Sequence, residues 1–194
     1  VNISGNDLAH SALAQRVERA LREARVEPRA LTLELTENIL MKRFDGAMHT
    51  LDELRQLGVG LAIDDFGTGY SSLSYLSSLP IDSLKIDRSF VHGMRRAGSK
   101  DAEIVRAIVS LGATLGKSVV AEGIESVSQL SQLRELGCEH GQGFHLSRPL
   151  TPRSERSKAF MVRSRKAYSP APFSATSTAG ADPPSPFANP GSNL

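Results

Sequence analysis

Short apolar runs alternate with amphipathic stretches along the first 150 residues, a rhythm that predicts strands and helices in turn. Residues 1–4 read as the end of a strand. Residues 5–25 read as a helix, with Leu8, Ala12, Val17 and Leu21 on one face and arginines and glutamates on the other. A strand is expected over 31–35 and a helix over 38–57, stopped by Gly58. Residues 59–64 form a compact apolar run, the pattern of a strand buried on both faces. Further strands are expected at 83–87, 117–122 and 143–147. Helices fall at 101–116, with Ile104, Val105, Ile108 and Leu111 inward, and at 126–136.

Strands alternating with helices imply an α/β fold with a parallel sheet. A TIM-like (β/α)8 barrel is the better expectation than an open doubly wound sheet, because no glycine-rich phosphate turn follows an early strand. After Pro149 the pattern stops. Residues 151–168 are basic, and residues 169–194 are dominated by Ser, Pro, Ala and Gly, with too few apolar groups to offset the entropy of ordering. The chain therefore divides into a folded domain, 1–150, and a tail, 151–194, expected to be disordered, whether a flexible linker or an aberrant end.

Composition changes this picture little: 40% hydrophobic and 23% charged residues are ordinary for a globular protein. The formal charge of +2 conceals an asymmetry. Residues 1–150 carry 17 Lys and Arg against 19 Asp and Glu, whereas residues 151–194 carry 6 against 2. The basic excess belongs to the tail, so the folded part is not expected to bind duplex nucleic acid. Cys138 is the only cysteine, which excludes an internal disulfide and suits a reducing cytoplasm. It reads as a small buried apolar residue rather than a reactive thiol. No apolar run approaches the ~20 residues of a membrane span, and the N-terminus lacks a signal-peptide pattern. The domain is expected to be cytoplasmic, which leaves open membrane attachment of a longer protein.

The chemistry concentrates at one place in each repeat, the C-terminal end of a strand. Asn2 ends the first strand, Glu34 and Glu37 the second, and Asp64 and Asp65 the third. Lys85 lies within the fourth, Glu122 ends the fifth, and Gln142 precedes the last. In a parallel barrel these positions converge on the rim where such folds place active sites. Carboxylates delivered just after apolar runs are costly unless paired or bound to metal, so their convergence points to a hard divalent cation.

The densest feature is Ala62-Ile63-Asp64-Asp65-Phe66-Gly67-Thr68-Gly69-Tyr70-Ser71-Ser72. Adjacent carboxylates on a turn can each face a different metal, and Gly67 and Gly69 permit a tight loop. This segment resembles the signature loop of the EAL domain family. Five further segments match that family in order: Val1-Asn2-Ile3-Ser4, Glu34-Leu35-Thr36-Glu37, Leu84-Lys85-Ile86-Asp87, Ala121-Glu122-Gly123-Ile124-Glu125 and Gln142-Gly143-Phe144. The resemblance implies hydrolysis of cyclic di-GMP to linear pGpG with Mg2+ or Mn2+. It implies Asn2, Glu34, Asp64, Asp65 and Glu122 as metal ligands, Lys85 beside the scissile phosphate, and Glu37 steadying the signature loop. Gln142 is implied to hold water or a substrate group. It further implies a homodimer, with Tyr70 and the Ser71–Ser72 pair linking site to interface, unless Tyr70 and Leu73 simply pack the next helix. An upstream sensory or cyclase-like domain is a common companion.

Two departures bear on activity. The Glu-Ala-Leu motif that gives the family its name, with another ligand, is expected upstream of Asn2 and is absent here. A complete barrel takes about 250 residues, so the first strands and helices are expected to be missing. His145 stands where the family more often has an aliphatic or aromatic residue. A rival reading is therefore a non-catalytic cyclic di-GMP receptor or dimerisation module, and a third an unfolded truncated product. A kinase reading from Asp65-Phe66-Gly67 fails, since no glycine-rich loop or His-Arg-Asp loop accompanies it. Glu18, Glu23, Asp52 and Glu53 read as solvated helix faces, and Asp82 and Asp87 as ion-pair partners of Lys85.

Overall fold

In the computed structural model, the described residues are 1–10, 12–42, 44–69, 73–94 and 98–148; the predicted tail lies outside them. Asn2 makes an isolated parallel bridge to Glu34. Ser4 then caps α1 (Gly5–Leu8), exchanging side-chain and backbone hydrogen bonds with Asp7. The expected single helix over 5–25 is instead two, for α2 (Leu13–Ala24) starts afresh after Ala9 and His10. The break resets the helical phase. Leu8, Leu13, Ala14 and Leu21 are buried, while Ala12, expected inward, is exposed.

A left-handed Arg25 closes α2, and a 3-10 turn over Pro28–Ala30 leads into β1 (Thr32–Thr36). Helix is found over α3 (Glu37–Lys42) and α4 (Phe44–Gln56), in the span expected to be helical over 38–57. There follow β2 (Gly60–Phe66), α5 (Leu73–Ser78), β3 (Ser83–Ile86) and α6 (Arg88–Gly93). Then come α7 (Lys100–Leu115), β4 (Ser118–Ala121), α8 (Val127–Glu135) and β5 (His140–Gly141). In α7 the buried residues are Ala102, Val105, Ile108 and Gly112, so Ile104 and Leu111 lie at the edge of the face, half-buried.

The five strands are parallel and ordered β1-β2-β3-β4-β5. Neighbouring order with right-handed crossovers puts successive helices on the same face of the sheet. A parallel sheet with flanking helices is what a TIM-like α/β fold requires. The strand side chains divide by face, as a period of two demands. Leu33, Leu35, Leu61, Ile63, Leu84, Ile86, Val119 and Ala121 join the helices in one core cluster. Glu34, Asp64 and Lys85 occupy the alternate positions.

The final strand departs from expectation. It is His140–Gly141, and residues 143–147 form a turn. Leu146 and Ser147 donate back to the Gly143 carbonyl, and His145 donates to Ile124 O. The chain at Gly143 lies so close to the Ile124 backbone that a β-carbon there would overlap it. No helix among the described residues is long and apolar enough to cross a membrane.

Candidate active site

Four side chains from successive strand ends meet at the Lys85 ammonium. Glu34 Oε2 of β1 and Asp64 Oδ1 of β2 each lie 2.9 Å from Lys85 Nζ, and Glu122 Oε1, just past β4, lies at 2.6 Å. The register explains the meeting. Glu34 and Asp64 are two positions apart along the β1–β2 ladder, through Glu34↔Ala62 and Thr36↔Asp64, and Lys85 pairs with Val120, two before Glu122. The Lys85 side chain is 8% exposed, with carboxylate partners at 23%, 15% and 18%. Burial opposes the lysine's charge, yet the Glu122, Glu34 and Asp64 carboxylates outweigh it and hold its pKa well above the ordinary value. Burial pushes the Glu122 pKa up, against the pull of Lys85, and the neighbouring Asp64 and Glu34 charges add to the rise.

Asp65 does not join this group. Between Ile63↔Leu84 and Phe66↔Ile86, β2 carries one residue more than β3, and Asp65 there has a φ of 53°. A bulge with a left-handed residue re-aims the side chains on either side of it. Phe66 thereby falls on the core side with Ile86. The Asp65 carboxyl interacts with Asp87, and burial, the Asp64 charge and Asp87 all raise its pKa. Burial works the other way for Asp87, but the hydroxyl and backbone N–H of Ser89 donate to it and lower its pKa. Asp87 also caps α6. The expectation that Asp82 and Asp87 pair with Lys85 is thus corrected. Asp82 Oδ2 accepts from Leu61 N at 2.8 Å, satisfying a backbone donor at the opposite end of the strands.

Glu37 opens α3 and is 2% exposed. Its Oε2 accepts from Gly67 N at 3.1 Å and Gly69 N at 3.3 Å, which pins the loop after β2. A β-carbon on Gly69 would lie 2.8 Å from Glu37 Oε1, so the glycine lets the loop close on the carboxylate. Gln142 Nε2 donates to Glu122 Oε1 at 2.8 Å. Its own backbone bonds to Ala121 and Ile124 hold it past the end of β5, not before the last strand as expected. Asn2 bridges Glu34 at the edge of the sheet and is exposed. His145 is exposed and donates through its backbone to Ile124.

Beside Glu122 and Gln142 opens a cavity of about 1010 Å³, walled also by Arg88, His92, Phe144 and Arg148. Phe144 is 64% exposed, and His92 Nε2 lies 3.2 Å from Glu125 Oε1 at the rim. Sequence reasoning did not single out Arg88, His92 or Arg148. Their signal was available, since each follows a strand end, but basic residues in loops are common and carry no pattern of their own.

Among the described residues no group of three or more His, Cys, Asp or Glu side chains is arranged to hold a metal ion. The carboxylates that could do so converge on the Lys85 ammonium instead. Asp64 Oδ1 is buried and, though 2.9 Å from Nζ, makes no directed hydrogen bond. As they stand, these residues are an ion-paired cluster and not a metal cage.

The family model described as EAL domain matches residues 1–149. A bifunctional diguanylate cyclase/cyclic di-GMP phosphodiesterase, MucR of Pseudomonas aeruginosa, is 48% identical over 150 residues, covering 77% of this chain and 22% of that protein. The cyclic di-GMP phosphodiesterase NbdA of the same organism is 47% identical over 150 residues, covering 77% of this chain and 19% of NbdA. This chain thus spans about a fifth of the length of these relatives. Among solved structures, the PaMucR phosphodiesterase in complex with c-di-GMP superimposes with a TM-score of 0.74 at 47% identity, covering 78% of this chain and 67% of that one. The EAL domain of Mycobacterium smegmatis DcpA gives 0.71 at 41% identity, covering 77% and 66%.

Proposed function

The chain belongs to the EAL domain family, and from that premise we propose that it is a cyclic di-GMP-binding domain whose ligand lies along the cavity beside Glu122 and Gln142. The observation that carries this reading is the lining of that cavity, where Arg88 and Arg148 face the same space as an exposed Phe144 ring. Guanidinium groups suit phosphate oxygens, and an aromatic face suits a guanine base. A cyclic dinucleotide offers both. Gln142 lines this cavity beside Glu122, whose Oε1 also meets Lys85, and there the ligand's phosphate would approach.

Hydrolysis to pGpG with Mg2+ or Mn2+ is the second reading. It is favoured by the convergence of three carboxylates, Glu34, Asp64 and Glu122, from neighbouring strand ends. Glu34, Asp64 and Glu122, with Asn2 and Asp65, would be the oxygen donors, and Glu37 the support of the loop. A bound divalent cation would supply charge stabilisation and an acidified water. Because the carboxylates face Lys85, the arrangement supports binding more directly than turnover.

The complete eight-stranded barrel, a homodimer through the exposed Leu73 and Tyr75 of α5, and a cyclase-like domain in the longer protein belong to the same proposal. Titration calorimetry of the chain with cyclic di-GMP tests it. One site per chain is expected, weakened about tenfold or more in Arg148→Ala, since hydrogen bonds to charged groups contribute roughly 1.5–3 kcal/mol. Absence of binding overturns the assignment. Repeating the incubation with Mn2+ and following pGpG by chromatography then separates a receptor from a hydrolase.

A further inference from the structure

We infer that Gln129 is a positioning residue for the ligand cavity: its side-chain amide ties the wall carrying Glu122 and Glu125 to the wall carrying Arg88 and His92. The inference rests on reading that cavity as the cyclic di-GMP site and adds what sets its width.

Arg88 and His92 lie on α6, whereas Glu122 and Glu125 lie in the segment between β4 and α8. Gln129, in the first turn of α8, touches both. Its Oε1 accepts from Glu125 N at 2.8 Å and Ser126 N at 3.0 Å. Its Nε2 donates to Val91 O, in the last turn of α6, at 3.1 Å. Two N–H groups on one side and a carbonyl on the other fix which way the amide faces. The bonds to Oε1 belong to a capping box, completed by Gln129 N donating to Ser126 Oγ, and any helix start could use them. The bond to Val91 O is no part of a cap. It joins residues 38 apart in sequence and meets one of the carbonyls that a helix end leaves unsatisfied.

The tie acts against a fixed point. Gly123, with a φ of 70°, brings its backbone onto α6, where a β-carbon would lie 2.7 Å from Arg88 Cβ and 3.8 Å from His92 Cδ2. Val91 is about one turn further along α6 than Arg88. Contact at Arg88 and the hydrogen bond at Val91 therefore hold the helix at two points. With the first alone, α6 could pivot about Arg88 and carry His92 away from Glu125. The His92–Glu125 pair, 3.2 Å apart, resists this only weakly, because each side chain is about half exposed. The spacing of the two walls thus depends on the half-buried amide of Gln129.

Titration calorimetry with cyclic di-GMP at neutral pH is paired with nuclear Overhauser contacts between Gly123 and His92 in the ligand-free chain. Gln129→Glu keeps an acceptor for the cap and loses the donor to Val91 O, whereas Gln129→Met loses both. Gln132→Met is the control, because Gln132 Nε2 also donates to α6, to Met94 O at 3.2 Å, but its other partners lie within α8. Both Gln129 variants should bind about three- to tenfold more weakly than the natural chain, the contribution of one hydrogen bond. Gln129→Glu should nevertheless melt above Gln129→Met, because its cap survives. Both should lose the Gly123–His92 contact, and Gln132→Met should keep it together with the natural affinity. Natural affinity in Gln129→Glu overturns the inference. So does a loss in Gln132→Met equal to that in Gln129→Met, which would make the effect a general loosening of α8. Should the natural chain bind no cyclic di-GMP, the cavity reading falls by itself. The Overhauser contacts then decide the tie, which stands if Gln129→Glu loses them and falls if it keeps them.

Discussion

The Cys138 thiol lies 3.2 Å from His140 O and 3.7 Å from Val119 O, deep beside β4. Burial penalises the thiolate and pushes its pKa from 9.0 up to about 11, against a smaller opposing effect of backbone hydrogen bonds. A raised folded pKa means the native state keeps its proton after the unfolded chain has lost it. The associated stability is complete below pH 9 and drains away as pH rises towards 11. Urea midpoints of the natural chain and Cys138→Ala should therefore draw together across that window, by up to roughly 2–3 kcal/mol. A constant gap would show that the thiol does not titrate there. At this scale the sequence was informative about which residues carry chemistry and silent about where each one points. Asp64 and Asp65 look equivalent as neighbours, but a bulge sends one to Lys85 and the other to Asp87. Bulges follow from pairing with β3, which no local pattern records. Asp87 was misread because it lies just past the end of β3, where it caps α6 and accepts from Ser89 instead of keeping to the face of the strand that carries Lys85.

Between elements, α7 approaches β4 closely at Gly112. A β-carbon there would overlap Val119 Cγ2 and lie 3.2 Å from Lys117 O. Two effects oppose each other in Gly112→Ala. Helix propensity favours alanine by about 1 kcal/mol, whereas overpacking a tight contact costs typically 1–3 kcal/mol. Val119 is buried and the Lys117 carbonyl is backbone, so neither yields freely, and net destabilisation is expected. Val119→Ala should relieve it, giving a coupling of at least about 0.5 kcal/mol in a double-mutant cycle of denaturant midpoints; additivity would place the strain elsewhere. The order of strands and helices was legible because apolar runs and amphipathic stretches differ in period. Their breaks were not. The shortness of β5 goes with tertiary hydrogen bonds, such as His145 N to Ile124 O, that no single-strand pattern contains, and the interruption between Leu8 and Leu13 is held by local turns.

For the whole molecule, one hydrophobic cluster runs from Leu8 in α1 to Cys138 before β5, and every strand except β5 contributes to it. A core shared by nearly all elements should unfold as one unit. Leu84 is the sharpest probe, since it is fully buried in the middle strand and its ladder partners are Ile63 and Val119. Leu84→Ala should cost about 2–5 kcal/mol from lost burial and the cavity left behind. Against a typical domain stability of about 5–15 kcal/mol this is a large fraction, so the midpoint should fall steeply. The denaturant slope should stay the same, because the surface exposed on unfolding hardly changes. Leu73→Ala, at a position 61% exposed, removes little burial and should leave the midpoint nearly in place. The test is a pair of urea titrations followed by circular dichroism and tyrosine fluorescence together. Coincident transitions with an unchanged slope in Leu84→Ala would establish that strands β1 to β4, and with them the four groups meeting at Lys85, form one cooperative body. Separated transitions would mean that the carboxylates and Lys85 sit on parts that can come apart, and the ion-paired cluster would then be a clasp between them.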